Sequence, residues 1–248
     1  MEIVCKFSNN LDDKFIEDFI TIQNAVFGGY SREHFKHKFI DNIYGPSVLT
    51  VVYNDQQRPI AARALWRNDI NGQKSYQPGD TCVLKEARGA GVFSKMTLQS
   101  VGMLPKDSLI YNFPNQNSFP GYIKLGWAVA ATYHLVLLGS TTAFKREQPQ
   151  AIDKDYFNWW IKHTQGVNYI RRKGHYFLVK AGPRKFCYTI IGEVSEEMAK
   201  QMPKLRKLAF IFYKSRKLTF YNKRFAASHV VSKGCDKMHI PTWKIDAI

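Results

Sequence analysis

The chain has 248 residues, 45% of them hydrophobic, 23% charged and 14% aromatic, enough for one extended domain or two lobes of roughly 100–140 residues. This composition excludes a disordered, collagen-like or coiled-coil chain, and no apolar run approaches the ~18–20 residues of a membrane span. The formal charge of +16 is unevenly spread: residues 1–141 carry 14 Lys/Arg against 12 Asp/Glu, whereas 142–248 carry 22 against 8.

Residues 2–7 (EIVCKF) form a short strand candidate. Asp12 or Asp13 can cap a helix whose apolar residues Phe15, Ile16, Phe19, Ile20 and Phe27 recur at three- and four-residue spacing until Gly28-Gly29. Ser31 can cap a second, short helix to about Asp41. Val48–Tyr53 and Pro59–Leu65 read as a hairpin across Asn54-Asp55-Gln56-Gln57. A loop holding Gly72, Pro78 and Gly79 should lead into a strand from Asp80 to Leu84. A helix with Val92, Phe93, Met96, Val101 and Leu104 follows Arg88–Gly91 and stops at Pro105. Leu109–Phe113 reads as a strand, Asn117–Leu125 as a short helix and Trp127–Leu138 as a long strand. Beyond these, Tyr169–Val179 and Lys185–Gly192 read as a strand pair around Ala181-Gly182-Pro183. Ser195 opens a helix to about Leu208, interrupted at Pro203. The order implies an α/β (α+β) fold with a mixed sheet and helices on its faces. The charge asymmetry and the polar stretch 139–150 place a boundary near residue 140, giving lobes 1–140 and 141–248.

Four widely spaced cysteines without a C-x-x-C pair suit a reducing compartment and speak against a disulfide framework or a cysteine zinc site. The first ten residues lack a basic start followed by an apolar stretch, so no secretory signal is read and a cytoplasmic protein is expected.

The chemistry concentrates between Asp80 and Trp127. A strand runs through Arg88-Gly89-Ala90-Gly91 directly into a helix. Glycine lets a ligand approach the backbone, and a helix start offers unpaired N–H groups at the positive end of its dipole, so the turn is a ready anion site. A tight turn with no ligand fits the same residues. A dinucleotide fingerprint would need glycine where Ser94 stands, and a phosphate-binding loop would need Gly-Lys-Ser/Thr, which is absent. Further on, Asn115, Ser118, Tyr122, Gly126 and Trp127 make N-x-x-S-x-x-x-Y-x-x-x-G-[aromatic].

With both elements in view, residues 1–140 resemble the GNAT superfamily of acyl-CoA-dependent N-acyltransferases. Its turn reads Q/R-x-x-G-x-G/A and its later segment N-x-x-A-x-x-x-Y-x-x-x-G-F. Arg88, Gly91, Asn115, Tyr122 and Gly126 match; Phe93 replaces a small residue, Ser118 an alanine and Trp127 a phenylalanine. The resemblance implies acetyl-CoA as cosubstrate and no metal. The coenzyme A pyrophosphate would sit on backbone N–H groups of Gly89, Ala90, Gly91, Val92, Phe93 and Ser94, with Arg88 opening the loop. The pantetheine arm would run along Cys82, Val83 and Leu84 like an added strand, with the N–H of Val83 polarising the thioester. Tyr122 would protonate the departing thiolate, and Asn115 would bond the arm or a water. The Phe93 departure is tolerable if its side chain points into the core.

Attack on a thioester needs a neutral amine, hence a base. Asp80 is the first choice, with Glu86 and His134 behind it; Asp80 equally well ends the turn Pro78-Gly79. Cys82 is read as packing rather than as a nucleophile, and His34 with His37 as a surface pair rather than a metal site. Basic and aromatic residues interleave over Leu205–Phe225, which suits single-stranded nucleic acid or a sheet edge with aromatics inward; the edge is favoured. The second half is read as a shortened, cofactor-free GNAT-like lobe covering the acceptor side. The expected activity is acetyl transfer to a primary amine of an anionic small molecule, such as an amino sugar or a nucleotide-linked sugar. The alternatives are a non-catalytic acyl-CoA binder, or a nucleic-acid-associated or RNA-modifying acetyltransferase using the basic half.

Overall fold

Alternating and β-branched runs become strands throughout, and a computed structural model describes them for residues 1–138, 150–182, 184–216, 227–235, 240 and 244. In chain order the elements are β1 Glu2–Phe7, α1 Asp13–Val26, α2 Arg32–Phe35 continued by a π turn Lys36–Ile40, β2 Val48–Tyr53, β3 Pro59–Arg67 and β4 Ser75–Val83. Then come α3 Val92–Gly102, β5 Leu109–Asn112, α4 Phe119–Lys124, β6 Ala128–Leu137, α5 Lys154–Trp159 and β7 Asn168–Arg172. The last are β8 His175–Ala181, β9 Cys187–Val194, α6 Glu196–Lys200, β10 Phe210–Ser215 and β11 Ser228–Lys233. The chain divides into two units, one holding Met1–Ala128 and Val231–Asp236, the other Val129–Val230 and Lys237–Ile248. The sequence-based division near residue 140 placed β6 in the first lobe, whereas the contacts assign all of it after Ala128 to the second unit.

The first unit carries strands in the order β1-β2-β3-β4-β5-β11, antiparallel except for β4 and β5, which run parallel. Alternation along β3 assigns its two faces. Ala61 packs with Val92 and Met96 of α3, and Leu65 with Tyr122 of α4. The ring of Trp66 lies under Lys38, on the side of α2. Asp12 caps α1 by accepting from Phe15 N at 2.8 Å, and Ser31 caps α2 by accepting from His34 N at 3.0 Å. Phe19, Phe35 and Phe39 then meet edge to face beneath these helices.

Strand β4 begins at Ser75, five residues before the strand read from the sequence, and Pro78 and Gly79 lie inside it rather than in a loop. Proline is accepted there because Pro78 faces Leu65 in a non-hydrogen-bonded pair, so its missing N–H points away from β3. β5 pairs with β4 only at Ser75–Leu109 and Tyr76–Ile110, after which the two strands part.

The second unit repeats this scheme in the order β6-β10-β9-β8-β7: a three-strand meander, a helix, and a strand returning parallel to the third. The single strand read over Tyr169–Val179 is the hairpin β7–β8. Lys173 and Gly174 both take positive φ (49° and 86°), the geometry of a two-residue mirror-image turn. The helix from Ser195 stops at Lys200 instead of reaching Leu208, because the residue before Pro203 resists helical geometry. β10 is an interior strand between β6 and β9, not a sheet edge; Phe212 and Tyr213 are buried and Phe210 is exposed. The remainder of that basic-aromatic stretch, from Lys217, lies outside the described residues, as do Pro183 and positions 139–149. The sequence reading passed over α5, which Asp153 caps by accepting from Tyr156 N at 2.9 Å. Among the described residues no helix is long and apolar enough to cross a membrane.

Candidate active site

The strand-to-helix connection after β4 makes a single helical turn at Lys85–Ala87 and then turns sharply into α3. Gly89 and Gly91 adopt φ of 84° and 71°, which a side chain would resist. Gly91 ends the loop without a side-chain cap on α3. Consequently the backbone N–H groups of Gly89, Ala90, Gly91, Val92, Phe93 and Ser94 donate to no acceptor among the described residues. Gly89, Gly91, Val92 and Phe93 of this run line a cavity of about 370 Å³ together with Val83, Ala87 and Arg88. A row of unused donors at the positive end of an eleven-residue helix is complementary to a phosphate group.

The edge of β4 beside this turn is open, since β5 has departed. Leu84 N donates to Ile60 O at 2.9 Å, so Leu84 and, two residues earlier, Cys82 are bonded towards β3. Of the three residues read as the ligand strand, only Val83 therefore turns its N–H and C=O to the open edge. Its carbonyl accepts from Arg88 Nε at 3.1 Å.

Tyr122 lies on the α3 side of the sheet. Its ring packs edge-on against Phe93 (5.5 Å between centroids) and Trp127 (4.8 Å), and joins Tyr76 and Ile110, the pair at which β4 and β5 part, in one core cluster. The amide turn, the open strand edge and the phenol thus belong to one face of the first unit.

No protein-family model and no curated protein matches the sequence. Among solved structures, a GCN5-related N-acetyltransferase from Kribbella flavida superposes with a TM-score of 0.53 at 10% identity, covering 95% of this chain and 72% of that one. A GCN5-related N-acetyltransferase from Anabaena variabilis ATCC 29413 gives 0.51 at 13% identity, covering 92% and 72%. The chain has the GNAT fold.

Within this GNAT fold, the side chain of Phe93 does point inward, which accommodates the departure from the small residue of the motif. It lies against Gly121, where an added Cβ would come within 2.8 Å of its ring. Asn115 works locally: its Oδ1 accepts from the N–H groups of Asn117 (3.1 Å) and Ser118 (3.0 Å) and from Ser118 Oγ (3.1 Å), shaping the entry to α4.

Asp80 sits in a bulge of β4 opposite Arg63, with φ of 46°. Both ends of the residue are held. Gln23 Nε2 donates to its carbonyl at 2.6 Å, and its carboxylate accepts from Lys38 Nζ at 3.0 Å and Tyr30 Oη at 3.1 Å. Burial, reinforced by that carboxylate, pushes the Tyr30 phenol well above its usual range. Asp80 thus faces α1 and α2, on the opposite side of the sheet from Tyr122.

Glu86 is exposed on its helical turn, and His134 lies on β6 opposite Ser215, in the second unit. Burial pushes the Cys82 thiol up to about 12, so it stays protonated at neutral pH. His34 packs edge-on against Tyr30, and among the described residues no three His, Cys, Asp or Glu side chains form a metal-binding group.

Sequence reasoning missed Arg63, which is fully buried. Its two terminal nitrogens donate to Thr97 Oγ1 and Tyr122 Oη. The visible signal was one charge inside the otherwise apolar run Pro59-Ile60-Ala61-Ala62-Arg63-Ala64-Leu65. Lys38 and Tyr30 carried no such signal.

Proposed function

We propose that the protein transfers an acetyl group from acetyl-CoA to a primary amine. The observation that carries this reading is the run of unused N–H donors from Gly89 to Ser94, beside the open edge of β4. The donor's diphosphate would lie on those amides, and its pantetheine arm would take the place β5 gives up, as a strand adds to a free edge. The N–H of Val83 would face the arm. Asp80, on one side of the sheet, would receive the proton of the attacking amine; Tyr122, on the other, would give its own to the departing sulfur. The amine nitrogen adds to the carbonyl carbon, and the C–S bond breaks as the tetrahedral intermediate collapses, so the base would serve the first step and the acid the second.

The second unit supports a single donor site. There the matching edge of β9, beyond β10, is already filled by the chain itself: Ile152 N donates to Glu193 O at 2.8 Å and Glu193 N to Gln150 O at 3.1 Å. Its helix start is filled as well, with Ser195 Oγ accepting from Met198 N at 3.2 Å. As acceptor we propose a small molecule carrying an amine and an anionic group, such as an amino sugar. The excess of 22 Lys/Arg over 8 Asp/Glu in residues 142–248 supports this choice.

Calorimetry with coenzyme A, then acetyl-CoA with a panel of primary amines and hydroxylamine while free thiol is followed, tests the reading. Tyr122→Phe should bind coenzyme A within about threefold of the parent and lose ~10²-fold or more in kcat. Tight binding with no thiol release from either form would favour a non-catalytic acyl-CoA binder. No binding at all would end the proposal.

A further inference from the structure

Arg63 is a fully buried guanidinium with which no carboxylate pairs among the described residues. Its Nε likewise has no hydrogen-bond partner among the described residues. Among the described residues the charge is offset by the hydroxyls of Thr97 and Tyr122 and by two aromatic faces, Phe93 at 5.2 Å and Tyr122 at 5.5 Å. Burying a cation without a counter-ion is costly, and a cation over a ring returns only part of that cost. An apolar side chain at this point of β3 would pack at lower cost. The site therefore suits a negative charge that none of the described residues supplies.

Every N–H of a guanidinium is a donor, so Tyr122 Oη must accept from Arg63 and its own proton is not spent on that bond. If Tyr122 gives that proton to a thiolate, the phenolate left behind lies directly on the guanidinium and becomes its missing partner. We infer that Arg63 is a positioning residue for Tyr122: it aims the phenol and balances the charge that appears when the phenol acts as acid. The inference rests on the acyl-transfer reading above. In the balanced step, the amine nitrogen bonds the carbonyl carbon, the C–S bond breaks, and sulfur takes the Tyr122 proton. The phenolate is then reprotonated from solvent, to which Asp80 gives up the proton it took from the amine. Fixed charge aimed at a group that ionises only during reaction is worth more in a dry interior than in water.

The test compares Arg63→Gln and Arg63→Lys in parent and Tyr122→Phe backgrounds, using acetyl-CoA with whichever nucleophile in the panel, hydroxylamine included, releases thiol fastest. Arg63→Gln should lower kcat about 10²-fold while KM for acetyl-CoA and the Kd for coenzyme A stay within about threefold. Arg63→Lys should recover kcat to within about tenfold of the parent. In the Tyr122→Phe background, Arg63→Gln should cost less than about twofold more, because the group it serves is gone. Should Arg63→Gln not fold, Thr97→Val loosens the guanidinium without removing its charge and should lower kcat several-fold with Kd unchanged. Retention of kcat within threefold in Arg63→Gln, or in Thr97→Val where that is the variant used, would overturn the inference. So would an equal loss with and without the Tyr122 hydroxyl, or a parallel rise in Kd. A parent protein that binds no coenzyme A or releases no thiol overturns the acyl-transfer reading itself, whatever Arg63 does.

Discussion

Gly121→Ala tests how the first unit accommodates an aromatic residue at the start of α3. A Cβ added at position 121 would lie 2.8 Å from Phe93 Cε1, 3.3 Å from Cδ1 and 3.5 Å from Cζ. Ordinary contact therefore requires the ring to move by roughly 0.6–1 Å. The ring is not free to swing, because Tyr122 meets it edge-on at 5.5 Å between centroids and Arg63 lies 5.2 Å from its centre. Overpacking of this kind costs about 1–3 kcal/mol, against a gain of about 0.5–1 kcal/mol from replacing a helical glycine. The expected net loss is about 1–2 kcal/mol in urea unfolding. Phe93→Ala removes the obstacle, so in that background Gly121→Ala should cost nothing further and the pair should couple by about 1–2 kcal/mol. The coenzyme A Kd should weaken in Gly121→Ala, because the displaced ring belongs to the residue whose N–H lies in the turn. If Gly121→Ala is as stable as the parent, or the two losses simply add, the packing argument is wrong.

Asp80→Asn should destabilise by about 3 kcal/mol in urea unfolding, because it strands the nearly buried Lys38 ammonium (8% exposed) without its carboxylate; Lys38→Met in the same chain should restore part of the loss. Coenzyme A titration should give a stoichiometry near one per chain. Gly192→Ala, whose Cβ would come within 2.7 Å of Ile152 and 3.0 Å of the Gln150 carbonyl, should cost about 1–3 kcal/mol by pushing the 150–152 segment off β9. Cys82 should resist iodoacetamide at pH 8 in the folded protein, as read by peptide mass spectrometry. Its folded pKa of about 12 lies above the ordinary 9.0, so the unfolded thiol ionises first. The thiol's contribution is therefore complete below pH 9 and is lost as pH climbs from there towards 12, by up to ~1.4 kcal/mol per pH unit.

The elements that the sequence displayed best are those whose signals are local. Asp12 and Ser31 cap their helices by bonding backbone three residues on, and the Arg88–Gly91 turn needs two left-handed residues that glycine supplies. Signals spread over distant residues were lost. Pro78 reads as a loop residue until β5 is known to leave β4 at Tyr76, because only then is the edge that proline faces unpaired. Lys173-Gly174 was a turn signal within the strand-like run Tyr169–Val179, outvoted by the β-branched and aromatic residues around it. In the candidate site the same split holds. The donors of the turn are backbone groups, so their availability follows from chain geometry that a motif can encode. What surrounds Tyr122 and Asp80 is assembled across the fold instead. Arg63 reaches Tyr122 across 59 residues of chain, and Lys38 reaches Asp80 across 42. Neither cation is close in sequence to the group it contacts. Lys38 ties the Asp80 carboxylate to the α1–α2 side, and Arg63 accepts nothing and so leaves the Tyr122 proton unspent. A motif can therefore name the phenol and the turn, while the cations that contact Tyr122 and Asp80 come from the sheet that brings β3, β4 and two helices together.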